Sequence, residues 1–306
     1  MDYAWPVLGN AHALEELEQD LRENRLAHAY LFEGPYQLGK TLVARTFAQI
    51  LQCQNGFCRT CITCQQIERG QHIDTLELLD DGESLKVETV KELLSHLSTT
   101  YSGRHKIVFI QNIDRIVEDA ANMLLKAFEE PISGVIFLVT ATQSQQLLPT
   151  LVSRVRTITF RPVLDSVIRE ALKNRRPDLD DVSLNLMTVF AMGRPGRAFQ
   201  FLDDPNRFRF HQDIYQNLTR LLQRSTLTER MAYVGTLIED PRAIESFFER
   251  FTHLVRALIF QHLEGQSGPY SLEQLFGILD ALGAAQFQLE HNVNPKLVLE
   301  NLMVNI

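Results

Sequence analysis

Short apolar runs alternate with helix-period segments through the first half of the chain. The runs are AYLF at 29–32, TLELL at 75–79, KIVFI at 106–110, VIFLVT at 135–140 and RTITF at 156–160. Their length and their content of β-branched and aromatic residues are those of buried strands. Between them the period changes. Over 118–130, Val117, Ala120, Ala121, Leu124, Leu125 and Phe128 recur at offsets of three and four, which places them on one helical face. Pro131 should end that helix, because the residue before a proline is disfavoured in helical geometry. A second helix is predicted over 41–52. Strands alternating with helices imply βαβ units and a mostly parallel sheet.

After Arg161-Pro162 the pattern loses its strands. Residues 163–202 read as short helices broken at Gly193-Arg194-Pro195-Gly196, and 207–306 as longer helices. Asn294-Pro295 is a helix-start signal, with the Asn side chain capping free amides and the proline in the first turn. Leu299, Leu302, Met303 and Ile306 then share a face. An α/β domain over 1–162 followed by helical domains over 163–205 and 206–306 is expected. The basic-then-acidic stretch 173–181 reads as a solvated connector.

Composition narrows the class. With 306 residues, 45% hydrophobic and 22% charged, the chain is an ordinary globular protein long enough for two or three domains. A net charge of −8 argues against a surface that grips phosphates throughout, so any DNA contact is local or shared. The opening MDYAWPVLGN lacks the basic start and apolar core of a secretory signal. Val135–Val139 and Leu254–Phe260 fall well short of the ~20 apolar residues that span a bilayer. A cytoplasmic location without membrane attachment is expected.

Gly34-Pro35-Tyr36-Gln37-Leu38-Gly39-Lys40-Thr41 fits G-x-x-x-x-G-K-[ST] between a strand and a helix, the context that motif requires. The glycines let backbone amides turn toward phosphate oxygens, and the helix N-terminus adds partial positive charge. Lys40 would reach the β and γ phosphates, and Thr41 could ligate Mg²⁺. Hydrolysis asks for more. An acidic residue at the end of a second strand normally holds the Mg²⁺, and a further group orients the attacking water. The candidate strand, 106–110, is followed instead by Gln111-Asn112-Ile113-Asp114. An amide brings no negative charge and accepts no proton, so slow or no hydrolysis is expected. Asp114 comes late and reads as a surface loop carboxylate.

All four cysteines lie in Cys53-x4-Cys58-x2-Cys61-x2-Cys64. Clustering of this kind in a reducing compartment favours a metal over disulfides, and four thiolates suit a closed tetrahedral Zn²⁺ site. An iron–sulfur cluster and free buried thiols are the alternatives. A saturated S₄ site would staple a loop and catalyse nothing.

These pieces carry a resemblance. HAYLFEGPYQLGKT at 28–41, the cysteine module after the first helix, GQHID at 70–74, NMLLKAFEEP at 122–131, LLPTLVSR at 147–154, GRPGRA at 193–198 and NPKLVLENL at 294–302 are together similar to the AAA+ subunits of the bacterial DNA polymerase III clamp loader. The resemblance implies a P-loop (AAA+) domain over 1–162 with a zinc module at 53–64, a small helical lid over 163–205 and an all-α collar over 206–306. It implies a hetero-oligomeric ring with motor and delta-like subunits, acting on the sliding clamp and primed DNA within a DNA polymerase holoenzyme. Arg154 matches the arginine that reaches a neighbour's γ-phosphate, although Val155 stands where the family has Cys. Thr142 and Arg197 resemble the polar sensors of the first and second domains. Trp5 and Tyr36 could border a base pocket, but aromatics near a loop more often pack.

Within the family, Gln111-Asn112 in place of Asp-Glu points to the delta-prime subunit, and the intact phosphate loop is the contrary sign. A gamma/tau-like motor subunit, in which Asp114 or an unrecognised carboxylate completes the metal site, is the first rival. A stand-alone zinc-stapled nucleotide-binding protein or P-loop kinase is the second, and the long helical tail counts against it.

Overall fold

The structure, a computed structural model, describes residues 3–82, 84–98, 101, 103–263 and 269–306. Its central element is a five-stranded sheet in the order β2-β3-β4-β1-β5. The strands are β1 (Ala29–Glu33), β2 (Thr75–Leu78), β3 (Lys106–Ile110), β4 (Val135–Ala141) and β5 (Arg156–Thr159), and every pairing is parallel. The crossovers carry α1 (Ala11–Glu23), α2 (Lys40–Gln52), α3 (Ile62–Glu68), α4 (Val87–Ser95), α5 (Glu118–Glu129) and α6 (Pro149–Val152). Together these form an α/β domain with a parallel sheet, in which the phosphate-loop sequence joins β1 to α2.

Side chains alternate across the sheet, as a pleated strand requires. Tyr30, Phe32, Ile107, Phe109, Ile136 and Leu138 pack on one face with Leu17 of α1 and Val43, Phe47 and Leu51 of α2. Leu31, Val108, Ile110, Phe137 and Val139 pack on the other with Val90 of α4 and Leu124 and Phe128 of α5. Burial on both faces explains why these strands read as unbroken apolar runs. The register sets Glu33 against Ala141 and Ile110 against Val139, so β1, β3 and β4 end together along one edge of the sheet.

The remaining elements are helical: α7 (Asp165–Arg175), α8 (Asp181–Ala191), α9 (Pro195–Asp203), α10 (Pro205–Arg224), α11 (Leu227–Leu237), α12 (Pro241–Leu263), α13 (Leu272–Glu290) and α14 (Pro295–Asn305). By internal contacts the residues divide into two compact units, 1–175 with 193–198, and 176–192 with 199–306. The second unit has its own apolar core, including Leu218, Phe248, Phe251, Leu275, Leu282, Leu299 and Met303. Asn294 caps α14 as its sequence indicates, accepting from the backbone N–H of Lys296 and Leu297. Among the described residues no helix is long and apolar enough to cross a membrane.

Candidate functional site

The loop from Gly34 to Gly39 joins β1 to α2 in a conformation that only glycine accommodates at two positions. Gly34 has φ 141°, and a Cβ there would lie 2.3 Å from the Phe160 carbonyl oxygen. At Gly39, with φ 91°, a Cβ would lie 2.4 Å from Val7 Cγ1. Lys40, first residue of α2, is buried, and its Nζ donates to the carbonyls of Gly34 and, at 2.8 Å, Pro35. Burial lowers its pKa to about 8; the charge of Asp114 opposes that shift and Arg194 adds to it. Thr41 follows, half-buried, in the first turn of the same helix.

The GRPGRA segment lies against this loop. Gly196 N donates to Gln37 O at 2.9 Å and Arg197 Nε to Gln37 Oε1 at 3.3 Å. The structure therefore brings Gly34, Gly39, Lys40, Thr41 and Arg197 together. Trp5 instead donates from its indole nitrogen to Glu18 at 2.9 Å, while Tyr36 is 43% exposed with Lys40 over its ring.

At the exit of β3 both amides point toward the loop after β2. Asn112 Nδ2 donates to the Asp80 carboxylate, and Gln111 Oε1 accepts from Asp80 N at 3.4 Å. Arg115 pairs with the same carboxylate at 3.1 Å. Asp114 corrects the sequence expectation of a plain loop carboxylate. The tight turn Ile113–Arg115 folds it back over the end of β4, where Oδ1 accepts from Thr142 N at 3.0 Å and Oδ2 from the Thr142 hydroxyl. Thr142 is thus brought to the same edge as the phosphate loop, since Gly34 N donates to Ala141 O at 3.2 Å. Sequence reading also passed over Glu33, which accepts from Ser144 N and Oγ at 2.9 and 2.8 Å. Its place as the last residue of a parallel strand was the available signal.

Arg154 stands elsewhere, just past α6. Its Nη1 donates to Thr150 O at 2.7 Å and Ser153 Oγ at 3.2 Å, and Nη2 lies 2.7 Å from Glu129 of α5. Among the described residues no hydrogen bond or ion pair links it to the chain's own phosphate loop. Both partners of the ion pair are over a third exposed, and pairs of that kind are weak, worth about 0–1 kcal/mol.

The four cysteine sulfurs lie within 4.8 Å of one another. Cys53 Sγ is 3.8 Å from that of Cys58 and 3.9 Å from that of Cys61. A tetrahedron with Zn–S of about 2.3 Å has sulfur edges of about 3.8 Å, so the donor set fits zinc. Cys61 N and Cys64 N donate to Cys58 Sγ and Cys61 Sγ at 3.3 and 3.5 Å, and backbone donors, chiefly Thr60, lower the Cys58 pKa to about 6. A metal held by these four sulfurs would fix the loop. Gln49 Nε2 donates to Cys64 O at 2.9 Å, and Gln52 accepts from Arg104 N and His105 N at 3.1 and 3.3 Å, which ties both ends of the module to the domain core.

Comparison with known proteins gives the family. The profile described as "DNA polymerase III, delta subunit" matches residues 9–164. The chain belongs to the DNA polymerase III clamp-loader family. Subunit gamma of Buchnera aphidicola (Acyrthosiphon pisum) is 30% identical over 76% of this chain and 66% of that protein. Subunit delta' of Bacillus subtilis is 27% identical over 94% of this chain and 93% of its own length. Subunit tau/gamma of Haemophilus influenzae is 39% identical over 48% of this chain, and the match spans only 22% of that longer protein.

Proposed function

We propose that this chain is a delta-prime-like clamp-loader subunit that holds nucleotide without turning it over and offers Arg154 to a neighbouring ATPase site. The observation that carries this reading is the exit of β3, where two amides stand in place of carboxylates and both engage Asp80. Thr41 is the residue that would ligate the Mg²⁺ of a bound nucleotide. Beyond it the donor set is poor in free carboxylate, because Asp114 already accepts from Thr142, and such a site suits holding better than hydrolysis. Arg154, braced at the surface, presents a guanidinium that can neutralise charge developing in phosphoryl transfer on a partner.

Further assignments belong to this reading. Thr142 and Arg197 take the polar-sensor positions of the pocket, the cysteines hold zinc as a staple, and the helices over 163–205 and 206–306 serve as lid and collar. Motor and delta-like subunits complete the ring, and the sliding clamp and primed DNA are met through the complex. The end-to-end match to the Bacillus delta' protein supports this choice. The intact phosphate loop and the identity to the Buchnera gamma protein favour a second reading, a motor subunit. Family membership sets aside the stand-alone kinase.

Purified chain should bind ATP or ADP with micromolar to millimolar affinity and hydrolyse at background. Brisk hydrolysis by the chain alone, abolished by Lys40→Ala, would make it a motor.

A further inference from the structure

We propose that Asp114 is a charge gate at the γ-phosphate end of the pocket, and that it makes this phosphate loop prefer a nucleoside diphosphate to a triphosphate. The proposal rests on reading 34–41 as a nucleotide site.

Three contacts locate the carboxylate. The loop leaves β1 at Gly34, whose N–H donates to Ala141 O at 3.2 Å, so the loop starts against the end of β4. Lys40 Nζ bonds back to the Gly34 carbonyl, and in loops of this pattern that lysine serves the β and γ phosphates while the backbone amides cradle α and β. The terminal phosphate therefore belongs beside Gly34, next to Ala141 and Thr142. Asp114 is fixed at this place by two donors from one residue, the Thr142 N–H at 3.0 Å and the Thr142 hydroxyl. It is also close enough to Lys40 to act on that ammonium's titration.

Two consequences follow from elementary chemistry. A hydroxyl has one proton, and Thr142 spends it on Asp114, leaving only lone pairs for an approaching phosphate oxygen. The carboxylate itself repels a γ-phosphate more than it repels a β-phosphate one group further away. Neither Gln111 nor Asn112 brings a charge that would recruit Mg²⁺ to offset this repulsion. A diphosphate keeps the amide cradle and the lysine without meeting Asp114. Asp114→Asn preserves shape and an acceptor for the Thr142 N–H while removing the charge and releasing the hydroxyl to donate outward.

The test is calorimetric titration of the full chain and of Asp114→Asn with ADP and with ATP, each in EDTA and in Mg²⁺. In EDTA the wild-type chain should bind ADP more tightly than ATP, with the preference shrinking as salt is raised. The variant should bind ATP roughly tenfold more tightly than wild type, the order of effect of one nearby charge at a protein surface, with ADP moved much less. An ATP-to-ADP ratio unchanged by the substitution overturns the proposal. Weaker Mg·ATP binding by the variant does so too, because Asp114 would then be a metal carboxylate. Should the variant fold poorly, wild-type preference for ATP in EDTA is sufficient to reject the gate. If wild type binds neither nucleotide, the phosphate-site reading and the gate fall together, while the role of Arg154 is judged separately on assembled loader.

Discussion

Lys40 is a buried ammonium whose pKa is lowered to about 8 from 10.5. Between those values the unfolded chain binds more protons at this site than the folded one, so this residue makes the fold more stable as pH rises through that window. Phosphate affinity moves the opposite way, because only the charged form attracts the anion. Raising the pH from 7 to 9 should weaken ADP binding by roughly tenfold, the neutralised fraction expected about one unit above the pKa. Binding near pH 8 should take up about half a proton, since Lys40 is half charged there before the ligand arrives, measurable as a dependence of the observed heat on buffer ionisation. A pH-independent affinity without proton uptake would contradict a Lys40 that both contacts the phosphates and titrates near pH 8. Asp114 belongs to this scale as well. Its position was illegible in the sequence because it depends on one tight turn, not on a spacing, and nothing in Gln111-Asn112-Ile113-Asp114 says which way that turn folds.

Among the elements the strands were the most legible, above all β1, β3 and β4, which are buried along almost their whole length. All five strands fall where the apolar runs place them, β1 and β4 extending one residue further and β2 and β5 one less. The helix α5 begins at Glu118, with Val117 in the cap position, and ends at Glu129 before the proline. The shorter helices were harder to read. α3 is a seven-residue helix whose first turn is capped by the Cys61 sulfur, so its existence is tied to the cysteine cluster more than to any apolar period. The same dependence gives a prediction: metal analysis should find about one zinc per chain. Cys64→Ser should lose the metal and lower Tm, because a buried ligand of the staple is removed and the links through Gln49 and Gln52 loosen. Iron, or no metal in protein purified under reducing conditions, would contradict the staple.

At the scale of the whole molecule, the order of motifs from residue 28 to 302 identified the family from sequence, since independent pieces in a fixed order are more specific than any one of them. The role within the ring was less accessible. The proposed role would turn on a guanidinium acting on another chain, and a single sequence carries no trace of such a neighbour. Arg154 is held by Thr150, Ser153 and Glu129 through contacts that are short but exposed, a weak tie that a partner's polyphosphate can outcompete.

The most direct test is the ATP turnover of a clamp loader reconstituted with Arg154→Ala or Arg154→Lys in this chain alone and wild-type partners. Ring assembly is checked in parallel by size-exclusion. The account predicts an intact ring with turnover reduced tenfold or more by either change, since lysine keeps the charge but lacks the planar fork. Full turnover in an intact ring carrying Arg154→Ala would contradict it.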